Sequence, residues 1–226
     1  MLTNYIVLII IPAILGIWAQ FKVKRAFEHY SQVPVSTGRT GADVAREILD
    51  AAGIHDVEVE EIETMLGDHY DPTNKRLCLS PDVYNTATVA AVGIAAHETG
   101  HAIQDARGYA PLKARMAVVP ITQFASQLLP FVLIGGFFFG MFGLIKLGIL
   151  CYLVLTVFQL ITLPVEFDAS RRAKIILGQM GVVAPGEETQ GVERVLSAAA
   201  LTYVAAFIAS LGNLLYLLSI ANRRND

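Results

Sequence analysis

At 226 residues the chain is long enough for one ordinary domain, or for a small soluble region together with several membrane helices. Hydrophobic residues make up 54% and charged residues only 16%, where a soluble domain carries about a quarter charged residues, so an ordinary water-soluble globule is a poor fit. A net charge of −3 without a basic tract argues against nucleic acid as a partner.

Taken in chain order, Leu2 to Phe21 is an apolar run interrupted only by Pro12. That is the length a spanning helix needs, about 20 residues. No basic residue precedes it and no small-residue cleavage site closes it, so it reads as an anchor and not as a cleaved signal. Residues 22–115 are more polar and form a small folded region. Thr40 can cap a helix running to about Ala52, with Gly53 as its stop and Val44, Ala45, Ile48 and Leu49 as its apolar stripe. Val57 to Glu60 alternates as a strand does, Asp71 to Asn74 reads as a turn, and Leu77 to Leu79 reads as a short strand. Ser80-Pro81 has the form of a helix cap followed by proline at the first helical position. An alanine- and valine-rich helix is expected from about Thr86 to Ala106, ended by Gly108.

The next apolar stretch, residues 116–164, is too long for one span. It predicts a helical hairpin of about Val118 to Phe139 and Leu147 to Leu163, with a turn near Gly140–Lys146. Residues 165–197 are polar again, with a charged helix from about Glu166 to Leu177 and a Gly/Pro loop to Gly186. A helix then continues into a fourth span, about Ala198 to Ile220, within residues 198–226. The expected fold is therefore mainly α: a polytopic membrane protein of about four transmembrane helices with a small α+β region. Cys78 and Cys151 fall in separate segments and read as unpaired thiols, as in a reducing compartment.

Basic residues set the expected orientation. Lys22, Lys24, Arg25, Lys113, Arg115, Arg171, Arg172 and Lys174 fall on one side of a four-span chain, leaving Lys146, Arg223 and Arg224 on the other. By the positive-inside rule, residues 22–115 and 165–197 face the cytoplasm.

The chemistry-bearing motif lies in the alanine-rich helix. His97 and His101 are four residues apart, so both imidazoles project from one helical face and can reach one tetrahedral zinc ion. Glu98 follows the first histidine and has the position of a general base for a zinc-bound water. The chain has only five histidines, and two of them stand at this spacing. A catalytic zinc needs a third protein ligand and an open fourth position. Asp105 continues the i, i+4 series but lies about 12 Å along the axis from His97. Glu166 and Asp168 both follow the third span, and Glu166 is favoured because it comes just after Pro164, where the helix emerges from the membrane beside the region holding the two histidines.

These residues, with Asp68 to Pro72, Leu79 to Pro81, Ala95 to Gln104, Leu163 to Ala169 and Ala198 to Tyr203, resemble the YugP-type neutral zinc metallopeptidases of bacterial membranes. The arrangement is distantly similar to the gluzincins of the HtpX and CAAX-protease class. The resemblance implies a zincin-like region and a zinc endopeptidase with one Zn2+ per chain, held by His97, His101 and Glu166, with Glu98 as base. Its substrate would be a protein or peptide in or near the lipid bilayer, and its location the bacterial plasma membrane. HtpX-like relatives carry an aspartate four residues after the ligand glutamate to support a histidine. Ser170 stands there in this chain, and Asp168 is the nearest acid for that role. His69, Tyr70 and Arg171 are candidates to stabilise an oxyanion, and the strand at Leu77–Leu79 is a candidate for binding an extended substrate. Cutting inside the bilayer, or a non-catalytic scaffold with a structural zinc, are the alternatives.

Overall fold

A computed structural model describes residues 2–64 and 67–223. The first half runs α1 (Leu2–Tyr5), a π turn (Ile6–Ile10), α2 (Ile11–Tyr30), α3 (Gly41–Ala51), β1 (Glu58–Glu61), β2 (His69–Asp71) and β3 (Arg76–Leu79). Then follow α4 (Pro81–Tyr84), α5 (Val89–Ala106), α6 (Ala110–Phe138), α7 (Phe142–Gln179) and α8 (Glu187–Arg223). The contacts divide the chain into two units. One comprises Met1–Gln20, Lys113–Pro164 and Leu201–Asp226; the other comprises Phe21–Leu112 and Val165–Ala200.

Among the described residues, four helices are long and apolar enough to cross a membrane: Leu2–Tyr30, α6, α7 and Glu187–Asn222, of 29, 29, 38 and 36 residues. At about 1.5 Å per residue these are about 44–57 Å long, well beyond a hydrocarbon core of about 30 Å. Each therefore overruns the apolar segment that predicts it. The first continues to Tyr30 through Lys22, Lys24 and Arg25, and α6 begins at Ala110. Lys, Arg and Ala propagate a helix readily, so the helix does not stop where hydropathy does. The hairpin turn is tighter than expected. Only residues 139–141 separate α6 from α7, with Gly140 at a φ of 69°, a left-handed conformation that glycine adopts without strain. Lys146 lies inside α7, its ammonium 5.2 Å from the centroid of the Phe142 ring. The side chain of Arg223 and all of Arg224, part of the orientation argument above, lie outside the described residues.

In the helical unit large apolar side chains point outward: Phe131 is 74% and Phe138 82% exposed. In water such surface costs about 25 cal/mol per Å², whereas beside lipid tails it costs nothing. Pro12 has no N–H for the carbonyl of Leu8, and the chain there forms a π turn in which Ile11 N–H donates to Ile6 O. Gly212 of α8 packs directly on that Leu8 carbonyl, where a Cβ would overlap it.

The second unit is built around α5. Thr40 and Asp43 form a reciprocal capping box at the start of α3, which ends at Gly53 with a φ of 71°. The predicted stripe Val44, Ala45, Ile48 and Leu49 is buried, and α3 packs on α5. The sheet has the order β1-β3-β2, with β1 parallel and β2 antiparallel to β3. β3 is thus the inner strand. Leu77 pairs with Val59 on one side and Tyr70 on the other, so this strand cannot take up an extended substrate as its sequence suggested. The strand β2 was not foreseen, since three residues carry too little alternation to read. Thr88 caps α5 by accepting a hydrogen bond from Ala91 N–H, three residues inside the predicted start. Past Pro164, α7 buries Val165, Ala169, Ala173 and Leu177, one residue per turn along a single face.

Replacing Gly212 by alanine should destabilise the chain by about 1–3 kcal/mol, the usual cost of forcing atoms into a packed contact. Gly143→Ala, where a Cβ meets open space, should not. Unfolding midpoints in mixed detergent measure both, and equal midpoints would refute the close approach at Leu8.

Candidate metal centre

Two helices of the second unit supply the site. On α5, His97 and His101 lie one turn apart with ring centroids 4.8 Å from each other and planes at 84°. On α7, Glu166 directs Oε2 between them, 3.2 Å from His97 Nε2 and 3.6 Å from His101 Nε2. The side chains of the three are 12%, 10% and 1% exposed, in the order His97, His101, Glu166. Among the described residues, this is the group whose nitrogen and carboxylate atoms converge as metal ligands do, all within 4.8 Å of one another.

The helices come this close because neither has bulk at the crossing. A Cβ on Gly100 would lie 3.0 Å from Ala169 O and 3.2 Å from Ala169 Cα. Small residues at 95, 96, 100 and 102 leave α5 free to approach. Glu166, three residues before Ala169, is then carried to the histidine face.

Whether these residues fit a cation can be decided from their hydrogen bonds. His101 Nδ1 lies 3.0 Å from Gln104 Oε1. The Gln104 amide nitrogen donates to Val165 O at 2.8 Å and Asp168 Oδ2 at 3.0 Å, both of which can only accept. The amide oxygen therefore faces the imidazole, and His101 Nδ1 must be the donor. In neutral His101, Nε2 is then a bare lone pair facing a carboxylate oxygen. Two acceptors pointing at each other in a buried place need a cation between them. Four-coordinate zinc with bonds of about 2.0–2.1 Å sets its ligand atoms about 3.3 Å apart, close to the 3.2 and 3.6 Å observed. The set of two imidazoles and one carboxylate fits zinc. Without a metal the proton takes its place. His101 is raised from the usual histidine value, because the hydrogen bond to Glu166 and the charge of Glu98 outweigh burial, the largest single influence, which lowers it.

Glu98 stands beside the three without joining them. Its Oε2 accepts a hydrogen bond from Tyr70 N–H at 3.2 Å, and burial pushes its carboxyl above the ordinary glutamate range. The Tyr70 hydroxyl donates to Asp105 Oδ2 at 2.8 Å, and Lys75 Nζ donates to the same oxygen at 2.6 Å. Asp105 therefore faces the sheet and not the histidines. Asp168 binds Gln104, Arg171 at 2.6 Å and Arg172 at 2.5 Å, so it reaches His101 only through Gln104. His69 is exposed, its Nδ1 donating to Gly67 O at 2.7 Å. Of the three oxyanion candidates, Tyr70 alone meets the site, and through its backbone. Arg171 is largely exposed and pairs with Asp168.

The roles of two residues escaped the sequence reading. Ser170 Oγ lies 3.2 Å from His97 Nδ1; it is four residues after Glu166 and so on the same helical face. Gln104 meets Nδ1 of His101 as Ser170 meets Nδ1 of His97. The available signal was its spacing, three residues after a candidate ligand in an otherwise apolar turn.

Residues 5–222 match the family described as "Putative neutral zinc metallopeptidase", and the chain belongs to that family. A curated relative, "Putative membrane protease YugP" of Bacillus subtilis (strain 168), is 48% identical over 213 residues, covering 94% of this chain and 94% of the relative. No solved structure matches the chain.

Metal analysis of detergent-purified protein should find about one zinc per chain in wild type and a clear loss in Glu166→Ala, with Asp105→Asn retaining it. Full retention by Glu166→Ala would remove Glu166 from the ligand set.

Proposed function

We propose that the chain is a membrane-embedded zinc metalloendopeptidase that cleaves membrane or membrane-proximal proteins. His97, His101 and Glu166 hold the zinc, and Glu98 is the general base. The observation carrying this reading is the pairing of a buried His–His–Glu cluster with a second glutamate that is fixed beside it but not part of it. When bound, zinc would supply a Lewis acid that lowers the pKa of water and polarises a peptide carbonyl.

Every other part of the reaction belongs to the chain. Tyr70 N–H holds one carboxylate oxygen of Glu98, which limits its rotation and leaves the other oxygen to take a proton from the attacking water. A carboxyl raised by burial retains that proton better than an exposed glutamate does, long enough to deliver it to the departing amine. Ser170 and Gln104 keep the imidazoles turned so that Nε2, and not Nδ1, faces the reaction centre.

In this reading residues 22–115 and 165–197 form a zincin-like region on the cytoplasmic side of a bacterial plasma membrane. Residues 1–21, 116–164 and 198–226 supply the spans. The four apolar helices support a membrane location, and the excess of Lys and Arg beside them supports the orientation. The relative's name, a membrane protease, agrees.

Glu98→Gln separates catalysis from a structural zinc. The variant should keep its zinc and its unfolding midpoint while cleavage of a fluorescent casein falls by about 10²–10⁴-fold, the usual contribution of a general base. Cleavage at the wild-type rate would overturn the assignment of Glu98.

A further inference from the structure

Gln104 is fully buried, 0% exposed, and nothing in the reaction above requires a glutamine there beyond the one contact to His101. A buried primary amide has four hydrogen-bonding positions to satisfy, and this one uses three that converge from different places. Its oxygen accepts from His101 Nδ1 on its own helix, while its nitrogen donates to Val165 O and Asp168 Oδ2 on α7. Asp168 is itself held by Arg171 and Arg172 one turn further on. The order Arg172–Asp168–Gln104–His101 has one sense only. Guanidinium can only donate, carboxylate can only accept, and the amide must therefore offer its nitrogen to Asp168 and its oxygen to the imidazole.

We propose that Gln104, oriented by Asp168, is the positioning residue that fixes His101 with its proton on Nδ1 and its lone pair on Nε2, so that His101 is a competent ligand only while α7 is docked on α5. This rests on the reading of His97, His101 and Glu166 as the zinc site. The two histidines are held differently. Ser170 carries a hydroxyl that can donate or accept, so it aligns His97 without dictating which ring nitrogen is protonated. Gln104 dictates it for His101. The same helix that brings Glu166 therefore also sets the tautomer of a ligand that lies on the other helix. Binding of zinc and docking of α7 become one event, because a separated α7 would take away one ligand and the tautomer of a second together.

The test uses the full chain in detergent and measures zinc affinity by competition with a chromophoric chelator, alongside the visible spectrum of the Co2+-loaded protein. Gln104→Met keeps the length and burial of the side chain but offers neither oxygen nor N–H. It should weaken zinc by about 10–100-fold, the usual effect of removing a partner that orients a ligand, and alter the Co2+ spectrum. Gln104→Glu sets a carboxylate against Asp168 and should also weaken binding. Asp168→Asn can keep an acceptor oxygen at the Oδ2 position for the Gln104 nitrogen and for Arg172, whereas Asp168→Ala removes that acceptor and leaves the amide free to turn. Asp168→Asn should therefore bind zinc about tenfold more tightly than Asp168→Ala, the lower end of the usual effect of removing a partner that orients a ligand.

A merely structural glutamine would lower the unfolding midpoint of every variant but leave zinc affinity and the Co2+ spectrum of the folded protein as in wild type. That result, or Asp168→Ala binding zinc as tightly as Asp168→Asn, overturns the proposal. If Gln104→Met does not fold, the comparison of Asp168→Asn with Asp168→Ala decides alone. Wild type without zinc affinity would instead overturn the metal site itself.

Discussion

A buried carboxylate facing two imidazole nitrogens is the constraint from which the rest of the second unit follows. Glu166 is almost wholly removed from solvent, where an ionised group without a partner is costly. Its neighbours are imidazole nitrogens, one of them kept unprotonated in the neutral ring by the Gln104 amide. Such an arrangement is stable only around positive charge, and a divalent ion satisfies all three groups where a proton satisfies two. The packing is arranged to allow it. Gly100 against Ala169 brings the two helix backbones close enough for one oxygen to meet two rings, and a strip of small or apolar residues on α7 keeps that approach in register.

Much of this was legible because it depends on spacing along a single helix or on bulk hydropathy. His97 and His101 declare themselves by a four-residue interval, and the four apolar runs by their length. Thr40 and Gly53 mark the two ends of α3 through hydrogen bonding and backbone conformation that each residue type favours locally. The choice among Glu166, Asp168 and Asp105 was a different kind of question. All three are acids near a candidate ligand in sequence or in topology, and only the crossing of α5 and α7 separates them. Asp105 differs from Gln104 by one position, about 100° around the helix. That rotation takes it to Tyr70 and Lys75 and gives the interior position to a residue without charge.

What could not be read depends on backbone atoms or on helix continuity. Tyr70 attracts attention for its hydroxyl, yet its contact with Glu98 is made by its amide, which any residue except proline possesses. The short β2 that supplies this amide has no period to detect. Hydropathy likewise marks where lipid contact ends and not where a helix ends, which is why Lys22 to Tyr30 and Ala110 to Arg115 proved helical.

The two glutamates of the site show how environment sets identical side chains apart. Glu166 is closed off from solvent with an oxygen directed at two imidazoles, a setting that favours the carboxylate as a fixed counter-charge. Glu98 receives one backbone hydrogen bond and has its carboxyl raised by burial. On the function proposed above, Glu166 holds a cation and should not exchange its proton readily, whereas Glu98 carries a proton between water and amine and must do so. Paired carboxylates whose surroundings push them apart in this way are the physical mark of an acid–base site. Exchanging the two surroundings would abolish both roles, although every residue of the motif would still be present.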